Sequence, residues 1–70
     1  MKFYETYDRH TKRKYWWTPR DAQGKCAEIR QNDNGTLNLL VCGYFKSTHK
    51  TLQEAMDEAK KYVGRHIVNC

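Results

Sequence analysis

The chain has 70 residues, 39% of them hydrophobic, which provides for one small domain over residues 1–70 and excludes a second core. Its formal net charge is +5, and the excess is concentrated in residues 1–30, which carry eight basic and four acidic groups. This balance favours an anionic partner such as nucleic acid, an acidic protein or a membrane surface, whereas a solvated surface without a partner is the plainer interpretation.

Location and metal binding can be addressed from the same composition. No apolar run approaches the ~20 residues that span a bilayer, and residues 1–10 contain no apolar segment of signal-peptide length, so we expect a cytoplasmic protein without a membrane partner. Cys26, Cys42 and Cys70 are odd in number and widely spaced, which fits reduced thiols better than a disulfide framework. Adding the three histidines creates no CxxC or HxxxH spacing, so we expect neither a metal site nor a cofactor.

The first two predicted strands lie on either side of a turn. Alternating side chains predict a strand over residues 2–7, and residues 8–11 would then reverse the chain. A second strand over 14–18 is favoured by the β propensity of three consecutive large aromatic residues. Pro19 would end that strand, because proline cannot donate to the ladder.

A third strand follows a polar, turn-like segment. Alternation over residues 26–31 puts Ala27 and Ile29 on one face of this strand. Glu28 and Arg30 occupy the other face. One face of the sheet is therefore expected to be apolar and the other charged.

The strongest local signal is the pair Asn34-Gly35, because both residues tolerate the positive φ that a type I′ hairpin turn requires. A long strand is predicted after it, over residues 36–45, with Gly43 marking a bulge or bend near its end. One face of this strand carries Leu37, Leu39, Val41 and Phe45, and the other carries Thr36, Asn38 and Leu40.

A loop over residues 46–50 precedes a predicted helix. Thr51 and Glu54 match a capping box, in which the threonine hydroxyl accepts from the first turn and the glutamate reaches back to the cap. An apolar stripe at helical spacing consists of Leu52, Ala55, Met56, Ala59, Tyr62 and Val63. Gly64 supplies a C-terminal stop, and the tail over 65–70 would add a short extended segment or fray.

Together these elements predict an α+β fold. Its three- to four-stranded antiparallel sheet is connected as a meander and packs on one C-terminal α-helix, as a two-layer sandwich. The helix would cover one face, and the other would be open. On the open face we place Glu28, Arg30, Asn38, Leu40 and one or two rings from residues 15–17. Trp16 and Trp17 are adjacent in a strand and must point to opposite faces, so at least one cannot enter the core by alternation.

The segment over residues 9–17, RHTKRKYWW, is the main functional signal, because it places four Lys/Arg directly before three large aromatic residues. Cations attract phosphate, and flat rings either stack on bases or brace a sheet. The candidate contact residues are Arg9, Lys12, Arg13, Lys14, Trp16, Trp17, Arg20, Lys25, Glu28, Arg30 and Asn38.

Residues 24–30 read GKCAEIR and are followed by a turn, a strand ending at GYF over 43–45, and a helix containing LQEA at 52–55. This arrangement resembles the ethylene-response-factor type of DNA-binding domain and the related amino-terminal arm-binding domains of phage and transposon integrases. The resemblance implies a three-stranded sheet laid into the major groove with one helix behind it. It also implies that Ala27 and Ile29 belong to the core.

Carried over residue by residue, the resemblance puts Glu28 and Arg30 on second-strand positions that face DNA. Glu28 would then accept a hydrogen bond from a base, typically a cytosine amine. The chain departs from the family in its first strand, where residues 15–17 are aromatic and the family has arginines. It also departs in the third strand, where Leu39 and Val41 replace basic and aromatic base readers.

Two functional classes follow. The favoured one is a small basic nucleic-acid-binding module, with duplex DNA as the favoured ligand, whose cations contact phosphates and whose tryptophan stacks or wedges. The alternative is a small inhibitor or adaptor, of the kind phages and mobile elements encode, that docks on an acidic or nucleic-acid-binding surface of a host enzyme complex. A weaker possibility is a domain that acts only as an oligomer. Catalysis is not expected, because no nucleophile–base pair, paired carboxylates or glycine-rich phosphate loop is present.

Overall fold

The computed structural model describes residues 2–63, which form a five-stranded antiparallel sheet with a short helix on one face. The elements are β1 (Tyr4–Asp8), β2 (Arg13–Trp17), β3 (Ala27–Gln31), β4 (Leu37–Val41), β5 (Tyr44–His49) and α1 (Leu52–Ala59). The strands lie in the sheet in chain order, each antiparallel to the next. The predicted α+β class and the antiparallel meander are confirmed.

The predicted number of strands is wrong, because the long strand expected over residues 36–45 is divided by a turn. Cys42 and Gly43 both have positive φ, 54° and 84°, as the two central residues of a type I′ turn require. The chain reverses at this point and returns as β5, which includes most of the predicted loop over 46–50. The sheet therefore gains a fifth strand at its edge.

This reversal changes the position of Phe45. Phe45 pairs with Leu40 in the β4–β5 ladder and is 60% exposed, so its predicted place on the core face is wrong. The ladder also contains a bulge: Leu39 pairs with Ser47 and Leu40 with Phe45, which leaves Lys46 without a partner across the strand.

The β3–β4 hairpin lies where it was predicted but has a different turn. Gly35 alone in this loop has a positive φ, 88°, and its N–H donates to Asn32 O at 3.1 Å. Asn32 N donates in turn to Thr36 O at 2.8 Å. This is the pattern of a type I turn followed by a left-handed glycine, not the predicted type I′ turn. Asn34 contributes through its side chain, which accepts from Thr36 N at 3.1 Å.

The core lies between α1 and the strands β3, β4 and β5, against which the helix packs. Alternation predicted the core residues of β3 and β4 correctly, and among them Ile29 and Leu39 are fully buried. The buried apolar residues are Trp16, Ala27, Ile29, Leu37, Leu39, Val41, Ala55, Ala59 and Val63. Phe3, Leu52, Met56 and Tyr62 are partly buried at its margin.

Helix α1 begins as predicted, because Thr51 Oγ1 accepts a hydrogen bond from Glu54 N at 3.2 Å. The helix ends at Ala59, earlier than the apolar stripe suggests, and Val63 N still donates to Ala59 O at 3.0 Å in the turn that follows. The predicted stop at Gly64 and the tail over 65–70 lie outside the described residues.

Candidate nucleic-acid interface on the open face

The face of the sheet turned away from α1 is the open face, and its side chains line up across the strands in two rows. The first row has three aromatic rings, one carboxylate and one aliphatic side chain, and it consists of Tyr4, Trp17, Glu28, Leu40 and Phe45. The polar row consists of Thr6, Tyr15, Arg30, Asn38 and Thr48. The predicted placement of Glu28, Arg30, Asn38 and Leu40 on one face is confirmed by this register.

The two tryptophans of β2 have different environments. Trp16 pairs with Ile29 on the covered face and is 9% exposed, with its Nε1 donating to Glu5 Oε1 at 3.0 Å. Trp17 is 38% exposed on the open face, and its ring centroid lies 5.1 Å from that of Tyr4. Trp17 is therefore available for stacking on a ligand. Trp16 is not, so its predicted role in binding is corrected to a role in the core.

Arg30 is held between an acidic and an aromatic neighbour. Its Nη2 donates to Glu28 Oε2 at 2.9 Å, and its Cζ lies 5.6 Å from the centroid of the Tyr15 ring. The hydrogen bond to Glu28 raises the pKa of Arg30 and outweighs the opposite effect of burial. Glu28 is therefore the ion-pair partner of Arg30 on this face, and its hydrogen bond to a base stays a prediction.

Asn38 belongs to a network of side-chain amides and hydroxyls. Its Nδ2 donates to Asn32 Oδ1 at 3.0 Å, and Asn32 Nδ2 donates back to Asn38 Oδ1 at 2.9 Å. Thr48 Oγ1 also donates to Asn38 Oδ1, at 2.8 Å. These bonds join the β3–β4 loop, β4 and β5 at one end of the open face, so Asn38 holds this loop against the sheet.

Two concavities meet at Tyr15 and form a groove along β2 and β3, which we call the β2–β3 groove. The concavity of about 200 Å³ is lined by Asp8, Thr11, Arg13, Lys14, Tyr15, Arg30, Gln31, Asn32 and Asn38. The other, of about 310 Å³, is lined by Tyr15, Trp17, Thr18, Cys26, Ala27 and Glu28. The groove is therefore polar toward the β1–β2 loop and aromatic toward the β2–β3 loop.

Two cations of the segment over residues 9–17 form ion pairs with nearby carboxylates. Arg13 forms an ion pair with Asp33 of the β3–β4 loop. Lys14 lies on the helix side of the sheet, where its Nζ is 3.6 Å from Glu5 Oε2. Both pairs are at exposed positions and add little to stability, but they reduce the positive charge offered to a ligand.

The remaining candidate cations lie in the two loops at opposite ends of the groove. Arg9 and Lys12 belong to the β1–β2 loop, and Arg20 and Lys25 to the β2–β3 loop. None of the four forms an ion pair with another residue in 2–63. Each of the two loops therefore carries two cations whose charge is not neutralised by another described residue, although Arg20 lines a separate concavity with Tyr4 and Val63.

Aspartate side chains order both of these loops. Asp8 Oδ1 accepts from His10 N at 2.9 Å, and Asp21 Oδ1 accepts from Gln23 N and Lys25 N, each at 2.9 Å. Such bonds from an aspartate to backbone N–H groups of the following residues are characteristic of tight turns. The cations are thus presented on ordered backbone.

Sequence reasoning missed two rings of the open face, Tyr4 and Phe45. Tyr4 is 41% exposed and packs on Trp17, but only the register of β1 against β2 reveals that contact. The sequence pattern predicts Phe45 in the core only if the strand continues through residues 42–43, where the structure has a turn. A cysteine–glycine pair between two β-prone runs was the signal that could have revealed it.

Comparison with protein-family models, with curated proteins and with solved structures gave no match to this chain. Within the described part of the chain, no helix is long and apolar enough to cross a membrane. The same residues contain no group of three or more side chains suited to hold a metal ion. Function must therefore be inferred from the geometry of the open face.

Proposed function

We propose that this protein binds single-stranded nucleic acid along the β2–β3 groove. The observation that carries the proposal is the partly exposed ring of Trp17, which lies beside Tyr4 on the open sheet face. Proteins that bind single strands combine aromatic platforms, on which bases stack, with cations that follow the backbone. The groove offers both within one surface.

The positions of the cations support a path along β2. This strand has five residues and spans about 17 Å at ~3.3 Å per residue, which accommodates a short run of nucleotides. Lys25 lies at the aromatic end of the path, and Lys12 lies at the polar end. A strand laid between these loops would pass over Trp17 and Tyr15, so that its phosphates meet cations and its bases meet rings.

The width of the sheet favours a single strand over the duplex that the family resemblance implies. Five strands spaced ~4.8 Å apart make a face about 19 Å wide, whereas the major groove of B-DNA is about 12 Å wide. The outer strands of an inserted sheet would meet the phosphate backbones. The open face also carries Asp8 and Glu28, which oppose close approach of two phosphate chains.

A protein partner is the second candidate, favoured by one specific observation. On the open face, the charges of Arg13 and Arg30 are offset by those of Asp8 and Glu28. The unpaired positive charge lies in the loops at the two ends of β2. Exposed tryptophan, tyrosine and arginine are also the residues that dominate binding energy at protein interfaces. A small inhibitor or adaptor would use the same surface.

A binding titration with matched variants tests the proposal. The probe is a labelled single-stranded oligothymidylate of about 15 nucleotides, followed by fluorescence anisotropy. We expect Trp17→Ala to weaken binding by about 10-fold or more, because stacking is worth ~1–3 kcal/mol per base. Tyr44→Ala is the control, since Tyr44 is a 72% exposed ring that pairs with Val41 and lies off the open face.

The outcomes separate the two candidates. Equal affinities of Trp17→Ala and the unmutated chain would reject the groove as the site. Absence of any binding to the oligonucleotide would reject the nucleic-acid proposal. Retention of a protein partner from nuclease-treated lysate, lost in Trp17→Ala but not in Tyr44→Ala, would then favour the inhibitor or adaptor.

A further inference from the structure

Two cysteines lie directly opposite each other at one end of the β3–β4 pair. Ala27 pairs with Val41, and one further step along the ladder sets Cys26 against Cys42. Cys42 N donates to Cys26 O at 2.9 Å, which continues the ladder to this pair. Both residues are free thiols; Cys42 is exposed and Cys26 is partly buried.

The spacing of this pair suits a covalent link. Opposed residues in a hydrogen-bonded antiparallel pair have Cα atoms about 5.5 Å apart. Disulfides join residues whose Cα atoms are about 4.4–6.8 Å apart. The register therefore gives Cys26 and Cys42 a Cα separation typical of disulfide-linked residues.

The location of Cys42 makes the pair accessible to reagents. Cys42 is the first of the two central residues of the type I′ turn and has a φ of 54°. This turn position is usually taken by asparagine, aspartate or glycine. Cys42 is exposed to solvent, whereas Cys26 is partly buried and lines the aromatic end of the groove.

We propose that Cys26 and Cys42 form a dithiol site that closes reversibly into a cross-strand disulfide by exchange with a low-molecular-weight disulfide, with glutathione disulfide as the representative. Cys26 lines the groove, but this proposal does not depend on nucleic-acid binding there. Its ligand class is small thiol-reactive disulfides, and its product is an intramolecular bond between β3 and the β4–β5 turn.

The exchange proceeds in two balanced steps. The Cys42 thiolate attacks one sulfur of glutathione disulfide, forming a mixed disulfide and releasing one glutathione thiolate. The Cys26 thiolate then attacks the Cys42 sulfur, which forms the protein disulfide and releases the second glutathione. Two protein thiols lose two electrons and two protons in total, and one glutathione disulfide is reduced to two glutathione thiols.

Intact-mass spectrometry of the full chain tests the proposal. The third thiol, Cys70, lies outside the described residues, and it is removed by Cys70→Ser. After incubation with glutathione disulfide we expect a monomer lighter by about 2 Da, with no titratable thiol, that returns to its starting mass with dithiothreitol. Two controls in the same background, Cys26→Ser and Cys42→Ser, should stop at one glutathione adduct.

Two further measurements keep the proposal falsifiable. The unmutated chain, digested after alkylation, should yield a linked peptide pair containing Cys26 and Cys42. The folded chain should also close faster than the urea-unfolded chain, because the fold supplies the proximity. Stable glutathione adducts on both cysteines, disulfide-linked dimers as the main product, or equal closure rates in folded and unfolded chains would each overturn it.

Discussion

Trp16 and Trp17 are neighbours in β2, yet the first is 9% exposed in the core and the second is 38% exposed on the open face. Alternation along a strand sends adjacent side chains to opposite faces, so one strand supplies both a packing residue and a contact residue. The pair therefore offers two substitutions of identical chemistry whose effects on folding and on binding should separate.

We predict that Trp16→Ala lowers the free energy of unfolding by about 3–5 kcal/mol, because it empties a core position beside Ile29. Trp17→Ala should cost about 1 kcal/mol, mainly through the lost ring contact with Tyr4. Urea melts of the two variants measure both values. Equal destabilisation would mean that the two faces of β2 are assigned incorrectly.

We predict that Glu28→Gln strengthens binding of single-stranded nucleic acid by roughly 2- to 5-fold, because it removes a negative charge from the groove. Glu58→Gln is a close control, because each glutamate has a carboxylate oxygen about 3 Å from a cationic nitrogen and the two side chains are similarly buried. Glu58 differs in its location, since it lies on α1 and pairs with Lys61. Anisotropy titrations of both variants provide the measurement. Weaker binding of Glu28→Gln alone would indicate that the orientation of Arg30 matters more than net charge.

We predict that the salt dependence of binding is carried by the loop cations. Lys12→Ala should reduce the slope of log affinity against log salt by about 0.7, the value for one phosphate contact on a single strand. Arg13→Ala should change the slope less, because Arg13 is already paired with Asp33. Titrations at several KCl concentrations distinguish the two variants, and equal slopes would contradict this division of roles.

We predict that substitutions in the turn at residues 42–43 change the free energy of unfolding through the φ values that each residue type tolerates, and not through side-chain contacts. Gly43→Ala should cost about 1–2 kcal/mol, because the φ of 84° disfavours a side chain even though nothing lies within 4 Å of the added Cβ. Cys42→Asn should be neutral or stabilising by up to about 1 kcal/mol, since asparagine tolerates this conformation. Thermal or urea unfolding that showed Gly43→Ala to be neutral would argue against the type I′ turn.

Much of the fold is encoded in short-range patterns. Alternation over residues 26–31 and 37–41 assigned Ile29 and Leu39 to the core correctly, because each strand has one strongly apolar face. The capping residue Thr51 could also be predicted from the sequence, because its hydroxyl bonds only within the first helical turn. These features depend on neighbours within a few positions in the sequence.

The features that sequence could not supply depend on register or on rare backbone states. The fifth strand was missed because Cys42 adopts a positive φ that its residue type disfavours, and because an edge strand such as KSTH tolerates polar residues on both faces. The run of cations was evident, but the neutralisation of Arg13 by Asp33 requires β2 and the β3–β4 loop to be neighbours. The net charge of the candidate site therefore depends on the tertiary structure and not on the run of cations alone.

The bulge at Lys46 makes the outer edge of the sheet unsuited to pairing with a strand of another chain. A regular edge strand presents an unbroken ladder of N–H and C=O groups that another chain can extend, which is a route to fibrous assembly. In β5 the bulge at Lys46 bends the edge strand, and the Lys46 ammonium lies 5.4 Å from the centroid of the Tyr62 ring. An incoming strand would lose register at the bulge, so the edge next to the exposed Tyr44 and Phe45 is a poor template for polymerisation.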